Sequence, residues 1–474
     1  MLAFTDLERQ TPKKRDADAR RGDFGEIYAP FEAAAARAQA SRCSQCGVPF
    51  CQNHCPLTND IPDWLRLAAE GRLKEAYTLS AATNSMPEIC GRICPQDRLC
   101  EGACVIEQSG HGTVTIGAIE QFITETAWNE GWVEPVAPGP SNGRTVGIIG
   151  AGPAGLAAAE ELIKAGAGVT IYDRYDRAGG LLVYGIPNFK LDKAVIARRV
   201  ARLEAAGVEF RLGVDIGRDV TFAALRARHD AVLIATGVYR ARRLDLDGED
   251  GAGVAPALYY LTRSNRLGLG DVVEGAEGHD ARGRDVVVIG GGDTAMDCVR
   301  TAVRQGAASV TCLYRRDRAN MPGSARETAH AEEEGVRFEF LAGPARLIFK
   351  DGAVVGVEAQ RMMLGARDAS GRAAVEADAA QAFRLPAALV IKALGFEPEN
   401  LPAMFGEPQL KVTARGTLRV RPGSLETSLP GVFAAGDIVR GASLVVWAIK
   451  DGRDAAHEII EKVTGSGVTL LAAE

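Results

Sequence analysis

Eight of the ten cysteines in this 474-residue chain fall between positions 43 and 104, in two runs. The runs read Cys43-x2-Cys46-x4-Cys51-x3-Cys55-Pro56 and Cys90-x3-Cys94-Pro95-x4-Cys100-x3-Cys104. Closely spaced thiolates followed by proline are typical of iron-sulfur segments, in which the last cysteine of one run can serve the other cluster. Eight thiolates suffice for two 4Fe-4S clusters. Zinc is the competing interpretation, but zinc sites favour paired Cys-x2-Cys units, and these runs contain one.

A second pattern that could do chemistry is the glycine turn Gly150-Ala-Gly-Pro-Ala-Gly155. The first glycine permits a tight turn, Gly152 lets a pyrophosphate approach the backbone, and Gly155 allows the next helix to pack on the strand. Asp173 follows 23 residues after Gly150, where a ribose-binding carboxylate belongs. The pattern therefore predicts a dinucleotide site on a strand, turn and helix.

Two further glycine motifs favour FAD as the dinucleotide. Gly180 stands in the segment Ala-Gly-Gly-Leu-Leu at 178–182, and Gly436-Asp437 resembles the Gly-Asp motif of flavoproteins with two dinucleotide domains, whose aspartate binds the ribityl chain. A helix beginning near Ala442 would direct its positive end at the flavin, where negative charge gathers on reduction. The competing interpretation of Asp437 is a simple helix cap.

A second glycine turn, Gly290-Gly-Gly292-Asp293-Thr-Ala, predicts a second dinucleotide site. Arg315 and Arg316 come 25 and 26 residues after Gly290, where an NAD site would carry a carboxylate. Guanidinium groups pair with the 2'-phosphate of NADP, so we expect NADPH here. Alternatively, the two side chains are solvated members of an arginine-rich loop.

These motifs require particular elements to position them. Helical periodicity accompanies the cysteines, and each glycine turn lies between an apolar β-branched run and an alanine-rich helix. We therefore expect an α/β protein in which a helical iron-sulfur domain precedes two Rossmann-like domains of the two-dinucleotide flavoprotein type. The predicted ranges are 1–140 for the cluster domain, 144–270 and 401–474 for the FAD-binding domain, and 271–400 for the NADPH-binding domain.

The composition and net charge of the chain exclude several classes of function. Apolar residues make up 46% and charged residues 24% of the chain, which is a globular composition, and the net charge of −6 argues against nucleic acid as a partner. No stretch approaches 18 uninterrupted apolar residues, and the first residues lack the apolar core of a signal peptide. We expect a cytoplasmic protein without a membrane partner.

The chain as a whole resembles the small (β) subunit of bacterial NADPH-dependent glutamate synthase. The likeness runs from the cysteine region to the C-terminal helix, and includes the segment YRRDRANMPGSARE at 314–327. Related modules occur in dihydropyrimidine dehydrogenase and in NADPH:ferredoxin oxidoreductases. The resemblance implies FAD, NADPH and two 4Fe-4S clusters, with hydride transfer between bound cofactors and no acid or base residue acting in that step.

The resemblance also implies a ligand set and a partner. In the wider group one cluster takes three cysteines and a non-cysteine side chain, which corresponds here to Glu120. Carried over, one cluster would use Cys43, Cys46, Cys51 and Glu120, and the other Cys55, Cys94, Cys100 and Cys104, leaving Cys90 unligated. A sequential assignment, with each run holding its own cluster, stays open. The implied partner in a hetero-oligomer is a large (α) subunit that forms glutamate from glutamine and 2-oxoglutarate; the alternative is electron transfer to a ferredoxin or a pyrimidine-reducing partner.

Overall fold

The computed structural model describes residues 3–367 and 373–464. Its helices are α1 Ala17–Arg21, α2 Ala33–Ala40, α3 Phe50–Asn53, α4 Ile61–Glu70, α5 Leu73–Thr83, α6 Pro87–Ile93, α7 Val105–Gln108, α8 Ile116–Asn129, α9 Pro153–Lys164, α10 Leu181–Tyr184, α11 Lys193–Ala205, α12 Phe222–Arg228, α13 Ala257–Gly268, α14 Asp293–Arg304, α15 Ala325–Glu333, α16 Leu401–Met404, α17 Asp437–Arg440 and α18 Val445–Thr464. Short 3-10 turns lie at Ala3–Thr5, Gln96–Arg98, Ala276–His279 and Arg318–Asn320.

The strands build four sheets. They are β1 Thr145–Ile149, β2 Gly168–Asp173, β3 Glu209–Leu212, β4 Ala231–Ile234, β5 Arg240–Ala241, β6 Val254–Pro256, β7 Asp285–Ile289, β8 Ser309–Tyr314, β9 Arg337–Phe340, β10 Ala342–Lys350, β11 Ala353–Arg367, β12 Ala373–Pro386, β13 Leu389–Lys392, β14 Phe396–Glu397 and β15 Val432–Ala434. The two parallel sheets confirm the predicted α/β class, since β-branched runs separated by helices pair in parallel.

The first parallel sheet has the order β15-β4-β1-β2-β3. Its central strand β1 is buried and feeds the glycine turn directly into α9. The strand β15 joins this sheet from late in the chain and pairs with β4. One sheet thus unites the two segments that carry the FAD motifs, and places the turns after β1 and β15 at the same edge.

The second parallel sheet has the order β6-β13-β7-β8-β9. The strand β6 pairs with β13 in this sheet although it precedes the predicted start of the NADPH-binding domain at 271. The sequence of the short strand Val254–Pro256 does not indicate which sheet it joins, because strand pairing depends on contacts between residues that are far apart in the chain. The antiparallel sheet β10-β11-β12 packs beside this unit, and the ribbon β5-β14 lies where the chain crosses between the two parallel sheets.

The helical region docks on the dinucleotide units through buried ion pairs. Arg199 of α11 donates from Nε and Nη2 to both carboxylate oxygens of Glu88 in α6, at 2.8 and 2.7 Å. Arg20 of α1 reaches Glu334 at 3.2 Å, and both side chains are buried. These ion pairs therefore hold the helical domain against the dinucleotide units of the same chain. Among the described helices, none is long and apolar enough to cross a membrane.

Candidate cofactor sites

The first glycine turn is shaped by close backbone approaches. Gly150 has a φ of +112°, and a Cβ on it would lie 2.4 Å from the carbonyl oxygen of Ala235. A Cβ on Gly155 would lie 2.0 Å from the carbonyl oxygen of Gly150. In contrast, nothing lies within 4 Å of the Cβ position of Gly152, which precedes the first residue of α9. The turn thus leaves open space at a helix N-terminus, as a pyrophosphate requires.

Asp173 ends β2 beside this turn. Its Oδ2 accepts the amide of Ala151 at 2.7 Å, and its Oδ1 accepts the amide of Tyr175 at 2.8 Å. Burial raises the pKa of this carboxyl group, and the two amide bonds oppose the rise. The carboxylate therefore faces the recess next to Gly150, where ribose hydroxyls could donate to it.

Sequence reasoning missed the opposite wall of this recess. Arg174 forms a two-bond ion pair with Glu399, at 2.9 and 3.0 Å, and its guanidinium lies 4.8 Å from the ring centre of Tyr239. All three side chains line the recess with Asp173. Burial lowers the pKa of Arg174 and the hydrogen bonds that it donates to Glu399 raise it, and the net effect is a raised pKa. Arg174 and Glu399 are 225 positions apart in the sequence, so no local pattern indicates this pair.

The remaining FAD-motif residues gather at the same end of α9. A Cβ on Gly180 would lie 2.9 Å from Cα of Gly152, and one on Gly436 would lie 3.1 Å from Cβ of Ala154. Gly436 is the residue before α17, and Asp437 is its first residue, which accepts a hydrogen bond from Ser443 at 2.6 Å. The helix predicted to begin near Ala442 is α18, which begins at Val445. The short helix α17 precedes it from Asp437 and ends at Gly441, which has a φ of +85°.

The second glycine turn repeats this construction. Gly290 has a φ of +144°, and its Cβ would lie 2.2 Å from the carbonyl oxygen of Ala393, whereas nothing lies within 4 Å of the Cβ position of Gly292. Asp293 begins α14, and its carboxylate accepts the amide of Ser324 at 2.8 Å. The open space again lies at a helix N-terminus.

The two predicted 2'-phosphate ligands follow β8 directly. Arg315 is exposed and Arg316 is half-buried, with its Nε donating to the carbonyl oxygen of Ala373 at 2.9 Å. The strand registers make Tyr314, the last residue of β8, the equivalent of Asp173, the last residue of β2. The two units therefore carry opposite charges near equivalent places, with the arginines just past the end of β8.

The cysteines separate into two sets that do not follow the two runs. The outer set consists of Cys43, Cys46, Cys51 and Cys104. Burial raises the pKa of Cys51 to about 12, and the nearby thiols of Cys104, Cys43 and Cys46 add to that rise. Gln45 donates to the sulfur of Cys43 at 3.2 Å. The last cysteine of the second run thus joins three from the first.

The inner set consists of Cys55, Cys94 and Cys100, which line one cavity with Cys90 and Glu120. Burial raises the pKa of Cys55 to about 11, and the carboxyl group of Glu120 adds to the rise. The cavity wall is completed by Trp64, Asn84 and Val446, among others. The last cysteine of the first run thus joins the second run.

This arrangement corrects the expected grouping, which placed Glu120 with the first run and Cys104 with Cys55. The reason is the packing of α6 on α8: a Cβ on Gly91 would lie 2.8 Å from both the amide nitrogen of Gln121 and the carbonyl oxygen of Gly117. The two helices touch backbone to backbone, which brings Glu120 beside the cysteines of α6 and its C-terminal end. A cysteine spacing carries no information on such a contact between helices.

Glu120 is the acidic group of the inner cavity. Its Oε1 accepts from Asn59, Ser80 and Asn84, each at 3.4 Å. Burial raises the pKa of Glu120 to about 8, and the bonds from Asn84 and Ser80 only partly oppose this. Buried thiols and a buried carboxyl group ionise when a metal replaces their protons, so the donor set fits a cluster.

In the described part of the chain, no group of three or more His, Cys, Asp or Glu side chains converges closely enough to hold one metal ion. A single zinc would need four donors around one atom at ~2.3 Å. A 4Fe-4S cluster makes a different demand, because each ligand binds its own iron at a separate corner.

Two family descriptions match the chain. Residues 20–132 match dihydropyrimidine dehydrogenase domain II, 4Fe-4S cluster, and residues 144–452 match pyridine nucleotide-disulphide oxidoreductase. Among solved structures, FprA from Mycobacterium tuberculosis in complex with NADPH is 21% identical, with a TM-score of 0.56 over 68% of this chain and 85% of that one. At that identity the likeness concerns the fold.

Curated relatives match almost the entire chain. The glutamate synthase (NADPH) small chain of Azospirillum brasilense is 60% identical over 461 residues, which cover 97% of this chain and 95% of the relative. The glutamate synthase (NADPH) small chain of Escherichia coli K12 is 46% identical over 463 residues, covering 96% and 98%.

Proposed function

The chain belongs to the family of glutamate synthase (NADPH) small chains, and from that premise we propose that it is the electron-input subunit of a glutamate synthase. It is an NADPH-dependent flavin oxidoreductase with a 4Fe-4S domain. In this proposal a large FMN-containing subunit receives the electrons and makes glutamate from glutamine and 2-oxoglutarate. The proposal includes a cytoplasmic hetero-oligomer of the two subunits.

We assign the two dinucleotides to the two glycine turns. Gly150, Gly152, Gly155, Asp173, Gly180, Gly436 and Asp437 would hold FAD, while Gly290, Gly292, Arg315 and Arg316 would hold NADPH, with Asp293 as the first residue of the helix that faces its pyrophosphate. FAD bound here would supply a hydride acceptor for NADPH that can release electrons singly, and 4Fe-4S clusters would supply single-electron carriers. The residues themselves would bind and orient these groups: Asp173 would accept hydrogen bonds from a ribose, and the arginines would pair with a phosphate.

We assign the outer set to one cluster and the inner set with Glu120 to the other, which makes Cys90 a neighbour without a ligand role. One observation carries this proposal. Val446 lines the inner cavity, while Ala448 of the same helical turn lies 3.8 Å from the Cβ position of Gly436. A single turn of α18 therefore separates the FAD motif from the inner cysteines, which supports electron passage from flavin to cluster within this chain.

The surroundings of the outer set support electron transfer from this set to the large subunit. Val48 and Phe50, which lie between Cys46 and Cys51, are 58% and 48% exposed, and Val105 beside Cys104 is 37% exposed. Exposed apolar side chains grouped at one place mark surfaces that bind other proteins. We define Val48, Phe50 and Val105 as the outer rim and propose that it contacts the large subunit.

The function is tested on the anaerobically isolated native complex, by following NADPH oxidation before and after glutamine and 2-oxoglutarate are added. We expect oxidation to depend on both substrates and a large subunit to copurify. Reduction of artificial acceptors without any response to these substrates would instead assign the chain to a ferredoxin or pyrimidine system.

The nucleotide assignment is tested separately by replacing both Arg315 and Arg316 with alanine. Loss of charge-assisted pairs to the 2'-phosphate should raise KM for NADPH ~10- to 100-fold and leave KM for NADH nearly unchanged. Arg318→Ala is the matched control, because Arg318 lies in the same loop but pairs with Glu332. Equal effects of the double variant on both nucleotides would contradict the assignment.

A further inference from the structure

An arginine of the cluster domain reaches the N-terminus of the second nucleotide helix. Arg98 lies between Cys94 and Cys100, and its Nη2 donates to Oδ2 of Asp293 at 3.0 Å. Its Nη1 donates to the carbonyl oxygen of Pro322 at 2.6 Å. The two partners lie 195 and 224 residues away in the sequence, so the contact joins two domains.

Asp293 occupies a position that is unfavourable for a nucleotide. It is the first residue of α14, directly after the open space at Gly292. A carboxylate there repels the negative charge of a pyrophosphate bound at the same helix N-terminus. The site can accept a dinucleotide well only when the charge of Asp293 is neutralised or held aside.

Two contacts perform this task in the structure. The amide of Ser324 donates to Oδ1 of Asp293 at 2.8 Å, and Arg98 takes the other oxygen. The loop that supplies Ser324 is itself fixed to the glycine turn, since the amide of Gly323 donates to the carbonyl oxygen of Gly291 at 3.0 Å. The amide carries no full charge, so Arg98 is the cation that pairs directly with this carboxylate, whereas the nearby Lys190 pairs with Asp297.

We propose that Arg98 is a positioning residue for NADPH: it neutralises Asp293, so that the pyrophosphate can occupy the N-terminus of α14. The inference rests on the proposed assignment of NADPH to this turn. It makes nucleotide affinity depend on the segment between Cys94 and Cys100. As an exposed pair, Arg98 and Asp293 should contribute little to folding stability, so an effect on binding would be separable from unfolding.

The test is equilibrium binding of NADP+ to the anaerobic, cluster-containing protein by calorimetry. Arg98→Ala should weaken binding about tenfold, since one charge-assisted contact is worth about that factor. Arg98→Lys, which keeps the charge, should recover most of the loss. Asp293→Asn should bind at least as tightly as the unaltered protein, and Asp293→Asn combined with Arg98→Ala should match it, because no charge is left to neutralise.

Arg66→Ala is the control, because Arg66 is an equally exposed arginine of the helical domain that pairs with Glu70. Unchanged NADP+ affinity in Arg98→Ala would overturn the inference. So would a double variant as weak as Arg98→Ala, which would indicate a direct phosphate contact instead. If the unaltered protein bound no NADP+, the nucleotide assignment itself would fail; a normal affinity unaffected by all these variants would remove only the role of Arg98.

Discussion

The two cysteine sets use the same side chains in different surroundings. Cys94 and its neighbour Cys90 belong to the apolar core of the first dinucleotide unit, together with Val446. Cys43 and Cys104 belong to the separate core of the helical domain. The outer rim is exposed, whereas Val446 of α18 lines the inner cavity. One set thus adjoins the flavin unit and the other lies beside exposed apolar side chains, which fits an input end and an output end.

The largest effect should come from breaking the ion pair that fixes the wall of the inner cavity. Arg199→Ala would leave Glu88 buried and uncompensated, because both side chains are almost inaccessible. We expect the free energy of unfolding to fall by ~3–5 kcal/mol. Thermal unfolding measures this loss of stability, and release of iron during unfolding provides a second signal.

Arg72→Ala provides the control for Arg199, since Arg72 also lies in the helical domain but its pair with Glu75 is exposed to solvent. It should change stability by less than ~0.5 kcal/mol. Similar losses in the two variants would remove the distinction between an anchored inner site and a freer outer one.

An intermediate effect is expected at Glu120, the proposed fourth ligand of the inner cluster. Glu120→Ala should weaken retention of the inner cluster ~10- to 100-fold, because it removes a donor at the cavity. Cys90→Ser should retain both clusters, since our assignment gives Cys90 no iron. The iron and sulfide contents of the two variants after gel filtration measure how much cluster each one retains. Cluster loss in Cys90→Ser with retention in Glu120→Ala would reverse the assignment.

The smallest effect should be at the outer rim. Phe50→Asp places a charge on the exposed apolar surface beside Cys51, and we expect ~10-fold weaker association with the large subunit. Both clusters and NADPH oxidation by artificial acceptors should be retained. Val272→Asp is the control, because Val272 is 94% exposed but lies outside the helical domain. Equal loss of association in both variants would show that the rim has no special role.

Much of the fold of the two dinucleotide units could be predicted, because the sequence patterns that indicate it are local. The glycine turns at Gly150 and Gly290 each lie between a strand and a helix that the hydrophobic pattern predicts. The pair of Arg174 with Glu399 could not be predicted, since strand order brings them together from distant segments. The same holds for Glu120, whose neighbours depend on the close packing of Gly91 against α8.

The exchange of Cys55 and Cys104 between the two runs is the central structural claim, and spectroscopy of single serine variants tests it most directly. Electron paramagnetic resonance of the reduced protein should resolve one signal for each cluster. We predict that Cys104→Ser alters the same signal as Cys46→Ser, and that Cys55→Ser alters the same signal as Cys94→Ser. If Cys55→Ser instead altered the signal shared with Cys46→Ser, each run would hold its own cluster and the account would be contradicted.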